Sequence, residues 1–209
     1  MTGKQIFITI GVLASLALAT YFIVSGPMNA KASCIKENPK IVAFGDSLVA
    51  GYGATAGNDF PAALAREVGI PVENLGRVGD TTGSALGRIA TLDIIQPDIV
   101  IVLLGGNDAL QRLPVATTKA NLSLIIDTLQ KKDIEVVLVG VPGGFGTDPF
   151  RPMFTELKDQ YDVKLVPNIL SGIFGNRDLM SDQIHPNDVG YARMAARVAP
   201  VIEGVCALD

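Results

Sequence analysis

The chain has 209 residues, 48% of them hydrophobic and 18% charged, with a formal net charge of −4. That length and composition suit one globular domain with a substantial core. The acidic residues are scattered and no basic patch is present to displace phosphate counterions, so a nucleic-acid partner is excluded.

The chain opens on what reads as an export segment. Lys4 precedes an uncharged, mostly apolar run from Ile6 to Val24, followed by Ser25-Gly26-Pro27, the order of parts in a secretory leader. Ala30-Lys31-Ala32 offers small side chains at alternate positions, which suits cleavage before Ser33. The run is also close to the length of a membrane-spanning helix. A cleaved signal and a retained anchor both fit, and both make 1–32 a leader and 33–209 the working domain. Either places that domain outside the cytoplasm, periplasmic or extracellular, or tethered to the outer face of the cytoplasmic membrane. Contact with a membrane is expected only through this segment.

Short apolar runs and longer amphipathic stretches then alternate. Lys40 to Phe44 reads as a buried strand ending at Gly45. Phe60 to Val68 reads as a helix, with Asp59 as N-cap and Pro61 tolerated in the first turn. Val72 to Leu75 is a short strand, and Thr82 to Ile95 a helix with Leu86, Ile89, Ala90 and Leu92 at helical spacing and Pro97 beyond its end. Asp98 to Leu104 is a continuous β-branched and leucine run, suited to a central strand covered on both faces. The alternation continues with a helix from Val115 to Lys131, a strand from Glu135 to Val139, a helix from Phe150 to Tyr161 and a strand from Val163 to Val166. A last helix begins at Pro186, with Met194, Ala195, Val198 and Val201 on its apolar side. Strand–helix alternation predicts an α/β domain of three layers, a parallel sheet of five strands between helices. Right-handed crossovers narrow the topology, and a flavodoxin-like order 2-1-3-4-5 is expected.

Sites in such sheets form beyond the carboxyl ends of the strands. The polar and glycine-rich clusters Gly45-Asp46-Ser47, Gly79-Asp80-Thr81 and Gly105-Gly106-Asn107-Asp108 lie there, and Asp182 and His185 follow the last strand. His185 is the only histidine, so imidazole acid–base chemistry near neutral pH has one candidate. Asp182, three residues earlier, is close enough to orient the ring and to stabilise an imidazolium. Ser47 at the end of the first strand is a candidate nucleophile that such a base would activate. The backbone N–H groups of Ser47 and Gly79 and the side-chain amide of Asn107 are candidate oxyanion donors. Each has an ordinary structural alternative: Ser47 as a helix cap, His185 as part of a helix start, the glycines as turns.

Taken together these residues resemble the SGNH/GDSL hydrolase family. Gly45-Asp46-Ser47-Leu48 is similar to its first block, Asn74 with Gly79 to its second, Gly105-Gly106-Asn107-Asp108 to its third and Asp182-Gln183-Ile184-His185 to its fifth. Val141-Pro142-Gly143 and the segment Asp182 to Asn187 resemble, within it, the bacterial thioesterase I/lysophospholipase (arylesterase) group. The resemblance spans about Lys40 to Val201. It implies the SGNH hydrolase fold and a metal-free, cofactor-free serine esterase with Ser47, Asp182 and His185 as triad and Ser47, Gly79 and Asn107 as oxyanion hole. It departs from the pattern at Arg77 and Val78, where small or polar residues are expected before Gly79.

Phe145, Phe150, Ile173, Phe174 and Met180 lie near the expected site in the sequence and are candidates for an acyl groove, with core packing as the alternative. No insertion is long enough to form a lid, so an open, shallow site is expected. The partner is then a small acyl ester: a short acyl or aryl ester, a lysophospholipid, an acetylated sugar or a thioester. A non-catalytic envelope carbohydrate-binding module on the same scaffold is the alternative function. Cys34 and Cys206 flank the domain, and outside the cytoplasm a bridge between them is permitted. Closing so large a loop contributes roughly 2–5 kcal/mol; two free thiols at frayed ends is the alternative. With no histidine near them, the two cysteines offer no metal site.

Overall fold

The computed structural model describes residues 39–143 and 148–206, apart from the side chain of Cys206. The leader 1–32, Cys34 and Phe145 lie outside the described residues, and with them the expected bridge between Cys34 and Cys206.

Among the described residues five strands form one all-parallel sheet in the order β2-β1-β3-β4-β5. The strands are β1 (Ile41–Gly45), β2 (Val72–Gly76), β3 (Ile99–Leu103), β4 (Glu135–Val139) and β5 (Lys164–Val166). Every residue of β1 and β3 is buried, as expected of inner parallel strands covered on both faces.

The helices are α1 (Ser47–Ala50), α2 (Phe60–Val68), α3 (Thr82–Leu86), α4 (Thr91–Ile95), α5 (Gly106–Leu110), α6 (Val115–Gln130), α7 (Phe150–Tyr161) and α8 (Asp188–Cys206). α2 packs against α8, while α6 packs against both α3 and α7. These two groups form the outer layers, and their apolar faces complete the core. Leu122, Ile125, Ile126 and Leu129 supply it from α6, Met194, Ala195, Val198 and Ile202 from α8, and Phe60 and Leu64 from α2. At the start of α2 the Asp59 side chain accepts the Ala62 N–H at 3.1 Å, with Pro61 in the first turn.

One expectation is corrected. The stretch Thr82 to Ile95 is two short helices, α3 and α4, separated by a turn over 87–90. The apolar spacing was legible, but the Arg88 side chain inside the turn is drawn back to the sheet edge, donating to Gly45 O and Asp80 Oδ2. The first half stops at Gly87, and the second starts at Ala90 without a side-chain cap.

The register brings the functional loops together. Gly45 at the end of β1 is level with Gly76 of β2 on one side and Leu103 of β3 on the other. The segments beginning at Asp46, Arg77 and Leu104 therefore leave the sheet side by side at its carboxyl edge. The long segment between β5 and α8 reaches the same edge, because His185 lies within hydrogen-bonding distance of Ser47.

Candidate active site

Ser47 is the first residue of α1, a single turn packed directly behind β1. The cap of that turn is Asp46, whose Oδ1 accepts the Leu48 N–H at 3.0 Å. Ser47 is thus relieved of the capping role that its sequence context allowed, and its hydroxyl is free for another partner. The turn needs a glycine behind it: a Cβ on Gly45 would come within 2.2 Å of the Leu103 carbonyl oxygen.

That partner is His185. Its Nε2 lies 3.0 Å from Ser47 Oγ, and its Nδ1 lies 2.8 Å from Asp182 Oδ2. With the proton on Nδ1 donated to Asp182, Nε2 is the acceptor for the serine O–H. Asp182 is itself fixed, because its Oδ1 accepts the backbone N–H groups of Ile184 at 2.8 Å and His185 at 2.7 Å. Desolvation works to raise the Asp182 carboxyl, but the hydrogen bond from the His185 ring and those two backbone donors outweigh it and hold it below the usual carboxylate range. The loop is closed by a Met180–Pro186 bridge, and Asn187 Oδ1 then accepts the Val189 and Gly190 N–H groups at the start of α8. Tyr52 leans on the imidazole, ring centroids 4.5 Å apart. Its carbonyl is held by the hydroxyl of fully buried Tyr191 at 2.8 Å.

The oxyanion candidates share a pattern of unused donors. The backbone N–H groups of Ser47 and Gly79 donate to no acceptor among the described residues. Asn107, in α5, gives one amide N–H to the Asp80 carbonyl at 2.9 Å and keeps the other. Gly79 has φ +86°, and a Cβ placed there would meet nothing within 4 Å, so it presents bare backbone to open space. This is the use for which glycine is suited.

Ser47, Asn107 and His185 line a cavity of about 300 Å³ whose other walls are chiefly apolar, including Leu48, Leu110, Val141, Leu170, Phe174 and Ile184. A nucleophile, base and orienting carboxylate beside an apolar recess can carry out acyl transfer on a bound ester.

Comparison with known proteins agrees with this geometry. Residues 43–193 match the model of the GDSL-like Lipase/Acylhydrolase family. The chain belongs to this family. It is 30% identical over 196 residues to an arylesterase of Vibrio mimicus, covering 88% of this chain and 94% of that one. It is also 31% identical over 156 residues to thioesterase 1/protease 1/lysophospholipase L1 of Escherichia coli K12, covering 70% and 75% of the two chains. The crystal structure of AlinE4, an SGNH-hydrolase family esterase, superposes with a TM-score of 0.65 at 35% identity, covering 84% of this chain and all of that one. The protein is accordingly a GDSL-type carboxylester hydrolase.

The GDSL hydrolase's pocket differs in part from the one anticipated. Phe174 lines the cavity. Phe150 and Ile173 do not: both are buried in the core, Phe150 against Phe154 and beneath Gly143. Phe145 falls outside the described residues. Residues that sequence reasoning passed over form much of the wall, notably Leu110 from α5 and Val141 from the segment after β4. Arg112, just beyond α5, also lines the cavity, from a left-handed backbone position at φ 57°.

One further group is unusual. Asp46, immediately before the serine, is 1% exposed. Burial pushes its carboxyl up to about 7; the Leu48 N–H works against that rise, and the nearby carboxylates of Asp108 and Asp80 add to it.

Proposed function

We propose that this GDSL hydrolase cleaves carboxylic esters through an acyl-enzyme on Ser47. Ser47 Oγ attacks the ester carbonyl while His185 Nε2 takes its proton, and Asp182 steadies the imidazolium. The oxyanion rests on the N–H groups of Ser47 and Gly79 and on the free amide hydrogen of Asn107. As the intermediate collapses, the ester C–O bond breaks and His185 passes the proton to the departing oxygen. Water, deprotonated by the same imidazole, then attacks the acyl carbon; the bond to Ser47 Oγ breaks as His185 returns the proton to that oxygen, and the carboxylic acid leaves. The observation that carries this reading is the unbroken relay from Ser47 Oγ to His185 Nε2 at 3.0 Å and from His185 Nδ1 to Asp182 Oδ2 at 2.8 Å.

The substrates that best fit are short acyl or aryl esters. A cavity of about 300 Å³ stands at the small end of the range for small-molecule sites, about 300–1,000 Å³. Lysophospholipids and thioesters require the same acyl transfer, and a relative bearing both names supports including them. The Lys-led apolar stretch supports an exported enzyme, secreted or tethered, meeting its esters outside the cytoplasm.

The test is direct. Protein lacking 1–32 should hydrolyse p-nitrophenyl butyrate and be labelled on Ser47 by a fluorophosphonate. Ser47→Ala should lose both while keeping its circular dichroism spectrum. Turnover unaffected by that substitution would remove the nucleophile from the scheme. Profiling p-nitrophenyl esters of increasing chain length would then locate the preferred acyl group.

A further inference from the structure

We propose that Arg88 is a positioning residue that holds the three oxyanion donors in register with one another. The inference rests on the esterase reading above and adds a residue that touches neither the substrate nor the triad. Arg88 lies in the turn between α3 and α4, and its guanidinium faces back toward the carboxyl edge of the sheet. Nη2–H donates to the Gly45 carbonyl at 2.9 Å, and Nε–H donates to Asp80 Oδ2 at 2.6 Å. The guanidinium carbon sits 4.2 Å from the centre of the Phe44 ring, which supplies a face for stacking.

Those contacts connect directly to each donor. Gly45 is two residues before Ser47 and also accepts the Arg77 N–H at 3.0 Å, so the β1 end is tied to the loop that carries Gly79. Asp80 directly follows Gly79, and its side chain takes a second hydrogen bond from Ser84 Oγ at 2.9 Å. The Asp80 carbonyl receives the Asn107 amide at 2.9 Å. One guanidinium thus fixes the spacing between the carrier of the serine N–H and the carrier of the glycine N–H, and Asp80 extends that hold to Asn107.

The chemistry of the group fits this task. Arginine offers rigid, coplanar donors to two acceptors at once, which a lysine ammonium cannot reproduce with the same directions. The pair is largely shielded from solvent, with a half-buried Arg88 and a buried Asp80 whose side chains are 16% and 5% exposed. A buried ion pair is a weak source of net stability and can often be replaced by apolar packing without loss. Fixed geometry at the site is therefore the better account of a charge pair in this position.

Loss of the arginine should act on the transition state rather than on substrate binding, because the oxyanion exists only there. Removing a whole oxyanion donor lowers kcat about 10²–10³-fold, so loosening the donors together should lower it by about 10–100-fold. The experiment compares wild type, R88Q, R88K and D80N with p-nitrophenyl butyrate, each preparation standardised by fluorophosphonate titration of its reactive serine. An alkyl boronic acid, whose tetrahedral adduct places an oxygen where the oxyanion would lie, serves as the second probe. The expected result is a fall in kcat with KM within about two-fold of wild type, matched by an equal loss of boronate affinity and smaller for R88K than for R88Q. A folded variant with wild-type kcat and only a lowered melting temperature would overturn the inference, as would a change confined to KM. Failure of all three variants to fold would make Arg88 a folding residue and overturn it equally. Absence of turnover in wild type, or undiminished turnover in Ser47→Ala, would instead defeat the esterase reading itself.

Discussion

The buried carboxyl of Asp46 makes a prediction with a sign, a size and a pH window. Replacing it with asparagine preserves its shape and the Oδ1 acceptor that caps α1 through the Leu48 N–H, but removes the ionisation. In the folded protein the carboxyl titrates near 7, raised from 3.8 by burial; in the unfolded chain it titrates at the ordinary value. The folded state therefore holds a proton that the unfolded state has released at every pH between these values. Stability from this group is fully present below the unfolded pKa, falls as pH rises, and is gone above the folded pKa. Each pH unit separating the two values corresponds to about 1.4 kcal/mol, so wild type should lose about 4 kcal/mol between pH 4 and pH 8 from Asp46 alone. Asp46→Asn should lose none of it. Urea unfolding followed by circular dichroism, at closely spaced pH values for both proteins, measures the difference directly. Ionisations common to both cancel in that difference, which should grow in favour of the variant by about 4 kcal/mol across the window. A difference constant with pH, or one growing in the other direction, would show that Asp46 is ionised in the fold and that its surroundings solvate the charge.

Three other perturbations separate roles that lie close together in space. Asp182→Asn should lower kcat by up to about 10⁴-fold, because the ring would lose the partner that selects its tautomer, with KM for p-nitrophenyl butyrate little changed; a loss under ten-fold would argue against that partner role. Phe174→Ala should shift the preferred acyl length in a p-nitrophenyl ester series, since Phe174 lines the cavity. Phe150→Ala should leave the preference alone and cost about 3–5 kcal/mol of stability in urea, as expected for a truncated core aromatic. Tyr191→Phe leaves the Tyr52 carbonyl without its 2.8 Å donor, and a loss of about 1–3 kcal/mol is expected by the same measurement.

Much of the fold was legible because the signals are local. The runs in β1 and β3 are apolar at every position, and only a strand covered on both faces accommodates that pattern at such a length. Helix α2 starts and stops where the residues at its ends require, between Asp59 and a left-handed Gly69. The stretch 82–95 was not legible in the same way. Its apolar spacing is that of one helix, and the break at 87–90 follows from Arg88 bonding to Gly45, a residue 43 positions away. No window of neighbouring residues contains that instruction.

The site divides along the same line. Ser47, Asp182 and His185 could be named together because the chemistry demands particular side chains and the chain has a single histidine. The pocket could not, because an apolar residue near the site in sequence carries no mark of which way it faces. Phe150 and Phe174 read alike, yet one faces inward from α7 onto the core while the other faces the cavity. Leu110 and Arg112 reach the cavity from α5 and the turn beyond it. The scaffolding of the oxyanion donors was hidden for a further reason. Asp80 reads as part of a glycine-rich loop cluster and Arg88 falls inside a stretch that reads as one helix, and each acquires its function only from the other. Their 2.6 Å contact requires α3 to end after Leu86 so that the chain can turn back. The irregularity that defeats a helix assignment is therefore the same feature that brings a guanidinium beneath the catalytic edge. A segment uninterrupted from Thr82 to Ile95 would carry residue 88 along the helix instead of returning it to Gly45, leaving the loop of Gly79 and the turn of Ser47 without this common tie.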